Sequence, residues 1–95
     1  MFIFESLKEK RKRNLAKLKR LLKKGVVEFE YRKIDGALRK ATGTLKKSLI
    51  PDEYKDDERI EKSNSDEVFT YYDIKKEDFR SFRKDNFRKI LHQND

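Results

Sequence analysis

Lys10, Arg11, Lys12 and Arg13 stand consecutively near the start of this chain, behind Lys8 and ahead of Lys17, Lys19, Arg20, Lys23 and Lys24. Ammonium and guanidinium groups at this density can displace the counterions of a polyanion. That chemistry depends on charge density more than on exact geometry, so nucleic acid is the natural partner class. The charge is also one-ended. The first 24 residues hold ten Lys or Arg against two Glu, whereas the rest of the chain balances sixteen cations with sixteen carboxylates. A polyanion would meet mainly the N-terminal end.

A second tract, Phe79-Arg80-Ser81-Phe82-Arg83-Lys84, interleaves rings with cations. On a small barrel it could stack bases and hold phosphates, which adds Arg80 and Arg83 to the candidate nucleic-acid-binding residues. The competing reading is structural. An alternating strand must turn Phe79 or Phe82 inward, and the arginines can pair with Asp73, Glu77, Asp78 or Asp85 at the surface.

Catalytic chemistry finds little to work with. There is no cysteine, so neither a thiolate nucleophile nor a disulfide framework exists, and a single histidine, His92, cannot build a histidine metal cluster. There is no Gly-rich phosphate loop and no strained nucleophile elbow. The stretch 52–67 holds eight acidic and three basic residues, but their spacing matches no calcium loop. The expectation is a protein that is not an enzyme, with no cofactor, no metal and no small-molecule substrate.

These residues need elements to position them. Residues 5–24 lack Gly and Pro and are rich in Leu, Lys, Arg, Glu and Ala, all strong helix formers. Phe4, Leu7, Leu15, Leu18, Leu21 and Leu22 recur at steps of three and four, with a gap where Arg11 and Asn14 sit, which predicts a narrow apolar stripe on an amphipathic helix. Gly25 suits its C-terminal cap. With Phe2, the residues Phe4, Leu7, Leu15, Leu18 and Leu22 form a candidate docking stripe, directed either at the neighbouring module or at another chain. A membrane surface ranks behind both, because the polar arc is broad and bulky apolar residues are few.

From Val26 the period changes to two. Val27, Phe29 and Tyr31 alternate with Glu28, Glu30 and Arg32, a half-buried strand. Asp35-Gly36 predicts a tight hairpin turn into a second strand from Leu38 to Leu45, with Gly43 marking a bulge or a close backbone approach. Ile50-Pro51 ends that region, and 52–67 reads as a long acidic mobile loop able to fold back on the basic helix. Val68 to Asp73, Phe79 to Arg83 and Phe87 to Leu91 complete five strands, with a short turn at Lys84-Asp85-Asn86. The expected fold is mainly β: a five-stranded SH3-like barrel over 26–95, closed on itself, preceded by one basic amphipathic helix over 1–25.

The tracts Val27-Glu28-Phe29-Glu30-Tyr31, Asp35-Gly36, Arg39, Gly43-Thr44-Leu45, Ile50-Pro51, Thr70-Tyr71-Tyr72-Asp73 and Phe79-Arg80-Ser81-Phe82-Arg83 together resemble a family of small SH3-like barrel proteins of Bacteroidetes and their phages. The resemblance covers about Val26 to Leu91 and departs at Phe79, where that family often has Trp. It implies the barrel and a phage or bacteroidete origin. It brings no activity and no catalytic residue, and it leaves the basic helix as an addition in front.

No apolar run approaches the roughly 20 residues a bilayer span requires, and the short apolar start Met1-Phe2-Ile3-Phe4 precedes its charges, the reverse of a signal peptide. A cytoplasmic location follows, or the virion if the chain is phage-encoded. Two functions remain open: non-specific binding of nucleic acid through the helix, and a structural or adaptor role in a phage particle or complex.

Overall fold

The computed structural model describes residues 7–54 and 67–94. Helix α1 spans Leu7–Lys24, and five strands follow: β1 Val26–Arg32, β2 Leu38–Thr44, β3 Val68–Asp73, β4 Asp78–Arg83 and β5 Phe87–Asn94. They form one antiparallel sheet in the order β4-β3-β2-β1-β5. Short 3-10 turns occupy Lys47–Leu49, Asp52–Tyr54 and Lys84–Asn86. Of the acidic stretch expected as a loop, residues 55–66 lie outside the described residues, as do Phe2 and Phe4.

The sheet bends into a barrel through three local devices. At Gly43 the backbone of β2 lies against Tyr71, so closely that a Cβ there would sit 2.6 Å from the ring. Only the end of β2 pairs with β3, through Gly43 with Asp73 and Thr44 with Tyr72. On the other side β5 carries two bulges against β1, which bend the strand and add local twist. Closure by hydrogen bonding, expected from the sequence, does not occur among the described residues: β4 and β5 are the two sheet edges. The turn Lys84–Asn86 carries the chain between them, and the stacked rings of Phe82 and Phe87, 6.0 Å apart, bridge the gap by packing.

One core joins helix and sheet. Leu15, Leu18, Leu21 and Leu22 pack with Val27, Phe29, Tyr31, Ala41, Leu45, Phe69, Tyr71, Phe82 and Phe87. The helix lies on β1, β2 and β5. Removing this apolar area from water at about 25 cal/mol per Å² is what holds the helix down. A smaller cluster of Ile50, Tyr72 and Phe79, with Tyr54 and Ile74 beside it, covers the other face of β3 and β4. Phe79 and Phe82 are thus buried on opposite faces of the strand.

Two turn expectations change in detail. The hairpin loop is three residues, Ile34-Asp35-Gly36, because the Gly36 N–H donates to Lys33 O at 2.9 Å while the Lys33 N–H donates to Ala37 O at 2.8 Å. Within this loop only Gly36 takes positive φ, at 93°, so a turn followed by a glycine bulge replaces the two-residue turn. Gly25 keeps a negative φ, and its N–H continues the helical pattern to Leu21 O. The helix is capped from β2 instead. The Leu45 N–H donates to Leu22 O at 2.9 Å. The Thr44 hydroxyl lies 2.7 Å from Gly25 O and 3.2 Å from Leu22 O, sharing its one proton between them.

Candidate nucleic-acid interface

The docking of α1 determines which of its cations face water. With Leu15, Leu18, Leu21 and Leu22 against the sheet, Lys10, Lys12, Arg13, Lys17, Arg20, Lys23 and Lys24 are exposed, and Arg11 and Lys19 are half-buried. Lys8 lies in the helix, and Glu9 is the helix's one described carboxylate. The predicted nucleic-acid-binding residues of the helix are therefore held on one rigid rod.

β5 extends this surface. A shallow groove of about 260 Å³ runs between the first half of α1 and β5, lined by Lys10, Arg11, Asn14, Phe87, Arg88 and Lys89. Regular alternation would send consecutive residues to opposite faces of a strand. The register shift skips Arg88, with Lys89 opposite Glu30 and Phe87 opposite Tyr31, and this bulge lets Arg88 and Lys89 line the same groove. Glu30, only 7% exposed, lies 3.6 Å from Arg88 and holds its guanidinium in place. Arg88 and Lys89 were not among the sequence candidates. They are legible as an adjacent basic pair, but not as neighbours of a helix some 75 residues earlier in the chain.

Arg80 and Arg83 are not brought to this surface. They sit on β4, the edge of the sheet that is far from β5 in strand order, where they line a separate cleft of about 720 Å³ with Arg32, Lys33, Asp35 and Asp78. Of the four carboxylates offered as surface partners for those arginines (Asp73, Glu77, Asp78 and Asp85), Asp73 is engaged elsewhere. Asp73, 1% exposed, binds Arg39 instead, with Nη2 to Oδ2 at 2.9 Å, and accepts the Lys76 N–H at 3.0 Å. Partial burial acts to lower the Arg39 pKa, but the hydrogen bond to Asp73 and the nearby Tyr31 and Tyr71 oxygens outweigh it and raise it above the usual guanidinium value. This is a structural pair.

The docking stripe is also corrected. Leu15, Leu18 and Leu22 are buried in the chain's own core, so they are closed to a partner protein. Leu7 lies in the helix, ahead of that core. Nothing resembling a metal centre accompanies these surfaces: no group of three or more His, Cys, Asp or Glu converges among the described residues, and His92 is exposed on β5. No helix among the described residues is long and apolar enough to cross a membrane.

Helix, bent five-stranded sheet and core now stand together, and the sequence pattern of the WYL_2 family, an Sm-like SH3 β-barrel fold, matches residues 15–88. The chain belongs to the WYL_2 family. No curated protein and no solved structure matches it. The WYL_2 match begins at Leu15, in the middle of α1, so the second half of the helix is part of the family pattern. That half is not an addition in front of the barrel, and the packing of its leucines gives the physical reason, whereas residues 7–14, with the Lys10–Arg13 cluster, lie ahead of the match.

Proposed function

We propose that this WYL_2 chain is a non-enzymatic accessory protein that binds nucleic acid without sequence specificity. The interface is the exposed face of α1, widened by Arg88 and Lys89 of β5. One observation carries this reading: the apolar stripe of the helix is committed to the protein's own core, while Lys10, Lys12, Arg13, Lys17, Arg20, Lys23 and Lys24 are exposed on the rigid helix. Fixed cations neutralise phosphates without first having to order a flexible arm, which reduces the entropic cost of binding. The resemblance to barrels of Bacteroidetes and their phages supports a phage or bacteroidete origin, with action in the host cytoplasm or in the virion.

Fluorescence anisotropy with labelled oligonucleotides tests the proposal. Binding should weaken as salt rises, with a log–log slope set by the number of phosphates neutralised. Replacing Lys10, Arg11, Lys12 and Arg13 together by Glu should weaken binding at least about 100-fold at low salt and flatten that slope. Unaltered binding by this variant would sink the proposal.

A further inference from the structure

Resting on that reading, we infer that the nucleic acid is double-stranded DNA, held by its two phosphate backbones from within the major groove. Two independent observations lead there: the arrangement of cations on α1, and the burial of the rings among the described residues.

Helical spacing, once the buried leucines are known, sorts the exposed cations into two rows. Lys10, Arg13, Lys17, Arg20 and Lys24 follow one another at steps of three and four along one flank, and Lys12 and Lys23, with the half-buried Lys19 between them, run along the other. Glu9 and Ala16 lie on the strip between them, opposite the leucines. A single strand laid along the helix could satisfy only one row. A duplex groove presents a phosphate backbone on each side. The B-form major groove, about 12 Å wide, accepts a helix of about 10–12 Å diameter, whereas the A-form major groove is too narrow for side chains to read. At about 1.5 Å per residue the helix is about 27 Å long, a span of about eight base pairs.

Single-strand binders add base stacking on exposed aromatic rings to their electrostatics. Among the described residues, Phe29, Phe69, Phe79, Phe82 and Phe87 are buried, as are Tyr31, Tyr71 and Tyr72, and Tyr54 is half-buried. The two rings of the 79–84 tract, which could have served as a platform, are locked into the two apolar clusters. Phosphate contact alone favours the duplex, which offers one charge per about 1.7 Å of axis.

The test compares three probes on the intact protein at one salt concentration: a 20-base-pair DNA duplex, one of its strands, and an RNA duplex of the same sequence. The DNA duplex should bind at least about tenfold tighter than either of the others. In two further variants, K12Q/K19Q/K23Q and K17Q/R20Q/K24Q, loss of three cations from either row should cost about tenfold in duplex affinity and lower the salt slope by two to three. Equal affinity for the single strand or the RNA duplex overturns the inference, as does a row that can be removed without effect. Failure of all three probes to bind defeats the proposed function itself, so the two failures are distinguishable.

Discussion

Tyr71 shows how a single residue can carry the middle of this barrel. Its ring fills the space that Gly43 leaves open and meets Phe29 edge-on, with ring centroids 4.9 Å apart. Its hydroxyl meets that of Tyr31 at 2.9 Å inside the core, so two phenols satisfy each other where no water reaches. Burial, then the hydrogen bond to Tyr31, pushes the Tyr71 pKa well above the usual phenol range. The unfolded chain releases that proton near pH 10 while the folded one retains it, so the contribution is fully present below pH 10 and is lost as pH rises beyond it. Y71F should therefore be less stable than the parent by about 1 kcal/mol at pH 8, from the lost hydrogen bond. Above pH 10 that deficit should shrink by about 1.4 kcal/mol per pH unit, because the variant has no proton to release there. Urea unfolding at pH 8 and pH 11 measures both; a constant difference would contradict the account.

At the scale of elements, α1 is a structural member and a candidate interface at once. Its leucines supply one wall of the core, and Thr44 and Leu45 at the end of β2 satisfy the carbonyls at its C-terminus. The Gly43-Thr44-Leu45 tract thereby has three separate jobs: close approach to Tyr71, capping of the helix, and core packing. Leu18→Ala removes a side chain that is fully buried between helix and sheet. It should lower the unfolding free energy of the whole protein by about 3 kcal/mol, in one cooperative transition. Were the helix a separate arm, the same substitution would leave the unfolding of the barrel untouched, and a urea titration followed by near-ultraviolet circular dichroism tells the two apart.

On the scale of the whole molecule, charge is arranged by strand order. The helix and β5 carry one cationic surface, and β4, at the other sheet edge, carries Arg80 and Arg83 beside Asp78. Both edges are guarded against pairing with other chains by these charges, and β5 by its bulges as well. Screening at physiological salt acts within about 8 Å, so charges outside the interface should count for little. R80E/R83E should accordingly bind nucleic acid within about threefold of the parent at 0.15 M salt. A loss comparable to that of the helix variant, read in the same anisotropy assay, would move the interface to β4.

Much of the fold was legible from residue types alone. Period-two alternation marked β1, the Leu stripe marked α1, and Asp35-Gly36 marked the first turn, because local periodicity and turn chemistry act over a few residues. The helical cations were legible for the same reason. Arg88 and Lys89 were not, because their place beside Lys10 and Arg11 depends on a bulge and on contacts between the two ends of the chain. The stripe of α1 could be read as apolar but not assigned a partner, since periodicity reports that a face must be buried and not against what. The sequence by itself determined that one end of this protein carries the excess positive charge and that a helix displays it. Only the tertiary structure decided that Leu15, Leu18, Leu21 and Leu22 are closed, that the rings of β1, β3, β4 and β5 are buried and that the cations fall into two outward rows, because each of these follows from which surfaces meet across the core.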